Sequence, residues 1–258
     1  MTDTMKRYFW ILLAILAFAG CKNDKKKTAD KPSKEPTAKV YEAPTLQETK
    51  LSETINNTEE MSTCDIEIDV EYYEGGNPEV TEAINDVILR ATFGDDCADM
   101  GFDEAKEYTY GRFMADMSEG IMGEYNEYTL YGSFSDEYEN YLNYTVSQYE
   151  YFGGVHGMDT LREYVFDKTT GALVTEDDLF VPGYENVLSK RMTDSLRNQM
   201  GEEFEFIDVD EVEPNGNFII SPNGITWLFN AYEIASYAMG AIDVTLSWDE
   251  LQDLLKQK

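Results

Sequence analysis

Residues 64–73, CDIEIDVEYY, alternate apolar and acidic side chains almost without interruption. Ile66, Ile68 and Val70 fall on one side of an extended chain, and the carboxylates at positions 65, 67, 69 and 71 fall on the other. Successive side chains of a strand point to opposite faces of a sheet. The pattern therefore predicts a strand that is buried on one face and open to water on the other.

A helix is predicted directly after this strand. The residues EGGN form a turn, and residues 78–94 open with Pro78, keep apolar residues at helical spacing and stop at Gly94. A second helix is predicted within residues 102–125, where Gly111 and Gly120 weaken its continuity. The first half of the folded region is thus a strand, a turn and helices.

The second half is richer in predicted strands. Tyrosine and β-branched residues fill 139–152 and 158–166, and GGVHG between them predicts an antiparallel pair. Residues 181–200 have helical spacing, Pro-Asn-Gly at 222–224 predicts a hairpin, and a last strand at 242–248 precedes a short helix. The fold class expected is α+β, a mostly antiparallel sheet with a few packed helices.

The N-terminus has the pattern of a bacterial lipoprotein. A short positive segment precedes the apolar run YFWILLAILAF, and small residues stand directly before Cys21. We expect a signal peptide at 1–20, a lipidated Cys21 and a disordered linker over 21–60, because the linker has few large apolar residues. The expected location is the cell envelope, with the domain anchored to the membrane by lipid and either periplasmic or surface-exposed.

The net negative charge of the folded region restricts the kinds of molecule that it can bind. Residues 51–258 hold 10 of the 20 basic and 45 of the 51 acidic residues, a net charge of about −35. Such a field repels nucleic acid and anionic membranes and attracts basic molecules. No nucleic-acid partner is expected, and a solvated acidic surface is the simpler interpretation of any single charge.

Two cysteines remain after Cys21. In an exported protein, Cys64 and Cys97 are predicted to form a disulfide that closes a loop of 33 residues. Loop-closure entropy gives such a bond about 3 to 4 kcal/mol.

Motifs of catalysis and cofactor binding are absent. The sequence has no GxSxG elbow, P-loop, GxGxxG after a strand or HExxH, and the aspartates at 208 and 210 match a calcium loop only in part. Paired carboxylates carry no weight in so acidic a chain. We expect no metal and no cofactor, and a binding role is favoured over an enzymatic one.

His156 is the one histidine of the chain, and it lies within the glycine-rich GGVHG segment. It could be a catalytic base, a metal ligand, a ligand contact or a turn residue. Glycines at 153, 154 and 157 suit unusual backbone angles, which favours a structural role. Tyr232 and Glu233 are its candidate hydrogen-bond partners, and the three residues together are the candidate ligand-binding or structural site.

Several motifs carry a family resemblance. GGVHG, FDKTTGALVTEDDLF and FNAYEIASYAMG resemble, in order and spacing, the C-terminal domain of the RsiV-type family over about residues 138–251. Residues 64–135 resemble, less closely, the module that precedes this domain and also precedes PdaC-type peptidoglycan deacetylases. The resemblance implies a PdaC-like N-terminal subdomain at 61–135 and an RsiV-like, extracytoplasmic α+β domain at 136–258.

The best understood RsiV-type protein binds lysozyme. The expected function is accordingly a lipid-anchored envelope binding protein for lysozyme, another basic protein or wall glycan (peptidoglycan). The alternatives are an envelope hydrolase or deacetylase with an unrecognised site, and a purely structural envelope module.

Overall fold

The computed structural model describes residues 39–257. The predicted signal peptide and Cys21 lie outside the described residues, as do residues 22–38 of the predicted linker. Tyr41–Lys258 form one compact unit. Its strands are β1 Thr45–Asn57, β2 Ser62–Glu74, β3 Tyr125–Tyr138, β4 Tyr141–Tyr151, β5 Met158–Asp167, β6 Phe218–Ser221, β7 Gly224–Phe229 and β8 Ile242–Ser247.

The helices alternate irregularly with these strands. The α-helices are α1 Pro78–Phe93, α2 Phe102–Ser118, α3 Glu176–Leu179, α4 Glu185–Met200 and α5 Trp248–Leu251, with 3₁₀ turns at Asp95–Cys97, Gly201–Phe206 and Tyr237–Met239. The α+β class is confirmed. The second predicted helix ends at Ser118 instead of 125, because Gly120 adopts a positive φ of 66° and turns the chain toward β3.

The larger sheet has five strands in the order β1-β2-β3-β4-β5. Its pairs are antiparallel except β2 with β3, which run parallel because α1 and α2 cross between them. Ile66, Ile68 and Val70 pack with Ile84 and Ile88 of α1, as the alternation in β2 predicts.

The predicted linker extends too far. Residues 45–57 form β1, which pairs with β2 over its full length from Thr45↔Glu74 to Asn57↔Ser62. This edge strand buries few side chains, Thr49 and Ile55 among them. Backbone hydrogen bonds to β2 hold it in place, and these bonds do not depend on apolar side chains. The low hydropathy of residues 45–57 therefore gave no sign of a strand.

The smaller sheet, β6-β7-β8, builds a second core with α4. Trp227 of β7 is fully buried there, beside Leu188, Met192 and Val244. The hairpin predicted at Pro-Asn-Gly joins β6 to β7, and the capping box of Ser247 and Glu250 begins α5.

Asparagine side chains join the two sheets. The Asn143 side chain of β4 accepts from Ile220 N–H (3.0 Å) and donates to Ile220 C=O (2.9 Å) on the free edge of β6. Asn217 and Asn230 in turn bond the free edge of β5, where Asn230 Oδ1 accepts from the N–H of Leu161 at 2.7 Å. A sheet edge buried in this way needs such partners for its backbone groups.

The predicted disulfide is wrong. Cys64 and Cys97 are free thiols, and both are completely buried in the core beneath the five-stranded sheet. There they act as small apolar side chains. Burial, followed by the nearby Asp65 carboxylate, raises the pKa of Cys64 to about 11, and burial also raises the pKa of Cys97.

The predicted boundary at 135/136 falls inside β3. Both sheets belong to the same compact unit, and β6 packs against strands of the larger sheet. Within residues 39–257 no helix is both long and apolar enough for a bilayer crossing.

Candidate functional site

One face of the five-stranded sheet is covered by α1 and α2, and the opposite face carries carboxylates and tyrosines. We define this outer face by the side chains that the strand register places together on it: Asp65, Glu67, Asp69, Tyr125, Glu127, Tyr131, Tyr149, Tyr151 and Asp159. It is the water-facing side predicted by the alternation in β2. The tyrosines come from β3 and β4.

Like charges lie side by side on the outer face. Asp65 and Glu127 are register partners on the adjacent parallel strands β2 and β3. Directly opposed like charges destabilise a sheet. The two carboxylates therefore concentrate negative charge on this face, and a bound cationic group would interact favourably with both.

The charged groups on this face are already organised by hydrogen bonds. Tyr125 Oη lies 3.4 Å from Asp65 Oδ2 and 3.3 Å from Glu127 Oε2, so the phenol bridges the opposed carboxylates. Thr54 Oγ1 donates to Asp65 Oδ1 at 2.6 Å. Lys50 on β1 lies between Glu48 and Asp69, at 2.9 and 3.0 Å.

The phenols of Tyr125, Tyr131 and Tyr149 have raised pKa values and remain protonated at physiological pH. Desolvation, together with the Glu67 carboxylate, raises the pKa of Tyr131 to about 12. The pKa values of Tyr125 and Tyr149 are also raised, in both cases first by desolvation and then by Glu127. Each phenol thus offers an O–H donor and an aromatic ring beside carboxylate acceptors.

The loop between β4 and β5, residues 152–157, continues this surface, and we call it the His156 loop. Tyr149 packs so closely on Gly157 that a side chain there would overlap the phenol. Tyr151 Oη donates to Gly154 C=O at 3.1 Å. Val155 at the tip of the loop is 99% exposed.

His156 lies in an aromatic cluster. Its ring stacks on Tyr237 with 3.8 Å between centroids, and its Nε2 lies 3.4 Å from Tyr232 Oη. Its Nδ1 lies 2.8 Å from the carbonyl oxygen of Gly157, which also accepts from Tyr237 Oη at 3.0 Å. The two ring nitrogens therefore face a phenol and a backbone carbonyl.

The structure separates the two candidate partners of His156. Tyr232 contacts it, whereas Glu233 accepts from Asn215 at 3.1 Å and Asn230 at 3.2 Å. Tyr232 is 57% exposed and has a positive φ of 72°, which is uncommon for a bulky residue. Strained backbone of this kind concentrates at functional sites.

Sequence analysis missed Tyr237 and the outer-face tyrosines. The segment 232–240, which carries part of the RsiV-type resemblance, contains Tyr237, but nothing in its spacing places that ring on His156. Among the described residues no three His, Cys, Asp or Glu side chains are grouped so as to hold a metal ion. The site offers aromatic surface and negative charge.

One segment of the chain matches a known protein family. Residues 177–249 match the model of a protein family of unknown function, DUF3298. The chain carries a DUF3298 domain. No curated protein matches its sequence.

Two solved structures share the fold. A DUF3298 family member from Bacteroides fragilis is similar with a TM-score of 0.73 and 21% identity, over 85% of this chain and 96% of that one. A DUF3298 family protein from Pseudomonas aeruginosa gives a TM-score of 0.64 and 14% identity, over 83% and 95%. The likeness extends well beyond the matched DUF3298 segment, so α1, α2 and the five-stranded sheet belong to the same architecture.

Proposed function

We propose that this chain is an exported, lipid-anchored binding protein of the cell envelope whose outer face captures a strongly basic protein. The opposed carboxylates of Asp65 and Glu127 carry the proposal, because a partner's Lys or Arg would be attracted by both at once. The lipoprotein pattern before Cys21 supports an envelope location. The RsiV-type resemblance makes lysozyme the first candidate partner.

The chemistry of the outer face supports a protein partner. Its carboxylates would receive cationic side chains, and protonated phenols on β3 and β4 would add hydrogen-bond donors and rigid apolar area. Exposed Val155 and Tyr232 extend that area at the His156 loop. The long-range acidic field would mainly increase the association rate, and the aromatic contacts would slow dissociation.

Calorimetric titration of the purified protein with hen lysozyme tests the proposal. The titration is made at low and physiological salt, and cytochrome c serves as an equally basic control. We expect saturable binding to lysozyme that weakens with salt but persists at physiological ionic strength, where the Debye length is about 8 Å. Equal binding of both proteins that disappears with salt would contradict specific recognition.

Paired variants locate the surface. The double variant Asp65→Asn, Glu127→Gln removes the opposed charges, and at about 0.2–1 kcal/mol for each exposed pair we expect about 2–30-fold weaker binding. The matched control, Asp86→Asn with Glu104→Gln, removes two charges from α1 and α2 on the other side of the sheet. If both double variants weaken binding equally, the outer face is not the binding surface.

A further inference from the structure

A second candidate site lies at the far end of β4. The His156 loop follows Tyr151 at one end of this strand, and a cavity of about 530 Å³ borders Tyr141 at the other. The ten residue steps from Tyr141 to Tyr151 place the two regions about 33 Å apart, at 3.3 Å per residue. The cavity volume falls in the range of small-molecule sites, about 300–1,000 Å³.

We propose that this cavity binds a saccharide. Its walls include the aromatic side chains of Tyr138, Tyr141 and Trp248, and its polar groups include Glu139, Asp178 and Lys256. A pyranose has an apolar face of C–H groups and a rim of hydroxyls. It therefore matches a cavity that combines aromatic walls with charged hydrogen-bonding groups.

The aromatic wall is preorganised. The rings of Tyr138 and Trp248 are stacked within 21° of parallel, with centroids 5.8 Å apart. The indole N–H of Trp248 donates to the carbonyl of Ser221 at 3.0 Å, which fixes the ring plane. A ligand that stacks here orders no further aromatic side chain, so less binding energy is lost to entropy.

The polar groups are held as well. Asp178 Oδ2 accepts from the backbone N–H and the hydroxyl of Thr175 at 2.9 and 2.8 Å, and these bonds lower the pKa of Asp178. Lys256 Nζ donates to the carbonyl of Asp177 at 2.6 Å. Ionised carboxylates accept strongly from hydroxyls, and they disfavour a phosphate-bearing ligand by like charge.

Glu139 gives an independent indication. It occupies the two-residue turn between β3 and β4 with a positive φ of 51°, a conformation that favours glycine or asparagine. A glutamate at this position works against the turn. Glu139 also lines the cavity beside Asp178, so its carboxylate lies within reach of a bound sugar.

Nuclear magnetic resonance tests the proposal through the indole signals of Trp248 and the buried Trp227. The purified protein is titrated with the tetrasaccharides of N-acetylglucosamine and of glucosamine. We expect a saturable shift of the Trp248 indole, assigned with Trp248→Phe, with a Kd below about 1 mM and no shift of Trp227. Absence of a saturable shift with both sugars would overturn the proposal.

Variants separate ligand contact from folding. Tyr138→Ala should weaken binding at least tenfold, and Glu139→Asn, which suits the turn, should weaken it about threefold or more without lowering the melting temperature. Tyr131→Ala on the outer face is the control and should leave sugar binding unchanged. If Tyr138→Ala fails to fold, the sugar affinity of Glu139→Asn is the deciding measurement. Wild-type sugar affinity in Glu139→Asn would refute the contact between the Glu139 carboxylate and the ligand.

Discussion

Removal of the Asn143 side chain should weaken the attachment of the smaller sheet to the five-stranded sheet and so lower the free energy of unfolding. In Asn143→Ala, the N–H and C=O of Ile220 and the C=O of Asp136 lose their bonds to the amide, which are 3.0, 2.9 and 2.7 Å long. Asn143 is 2% exposed, so water cannot readily replace them. At about 1–3 kcal/mol for each buried group left unpaired, and with partial relaxation, we expect a loss of about 3–5 kcal/mol.

Denaturant titration of wild type and variant measures this loss. For a domain of this size, about 2–4 °C per kcal/mol gives a fall in melting temperature of about 6–20 °C. Asn143→Asp keeps an acceptor for the Ile220 N–H but loses both donor bonds, so it should also destabilise. Asn56→Ala, at an exposed position, is the control and should stay within about 0.5 kcal/mol of wild type. A loss below about 1 kcal/mol in Asn143→Ala would show that the asparagine bridge does not hold the sheets together.

Three further predictions concern other parts of the fold. Burial raises the pKa of Glu163 above its ordinary value of 4.5, so its ionised form costs stability at neutral pH. Glu163→Gln should therefore stabilise the protein at pH 7. Denaturant titrations should show that this gain in stability vanishes as the pH falls to about 4.5. Cys64 and Cys97 should resist a thiol reagent at pH 8 until the protein is unfolded, and a mass two hydrogens lower would instead reveal a disulfide. Gly171→Ala should lower the free energy of unfolding by more than about 2 kcal/mol, because its new methyl group meets a backbone carbonyl of α1. Gly183→Ala has a similar positive φ but open space around it, and it should cost about 1 kcal/mol. Equal melting temperatures of the two variants would refute the steric explanation.

Periodicity predicted the elements that bury one regular face. The alternation in β2 and the apolar spacing of α1 each match a single buried stripe, and the turn residues before β7 fix that hairpin. Periodicity failed for β1, whose strand character depends on backbone bonds to β2. The parallel pairing of β2 with β3 is set by the helices that cross between them, and no local pattern reveals it.

The candidate site was predictable only in its composition. The chain's excess of acidic residues and its 18 tyrosines are visible in the sequence, and so is the lone histidine. The pairing of Asp65 with Glu127 requires the register between β2 and β3, whose residues are about 60 positions apart. The stacking of Tyr237 on His156 likewise joins residues that the sequence separates by about 80 positions.

The outer face and the Glu139 turn share one energetic feature. In each, a negatively charged side chain occupies a position where folding alone would favour another residue: an opposed acidic partner in one, a left-handed backbone in the other. Marginally stable domains tolerate few such costs. Neutralising variants at both positions should therefore stabilise the free protein while weakening its binding. A protein that merely needed solubility could place its charges on the exposed helix faces instead, where they oppose neither a neighbouring carboxylate nor the backbone.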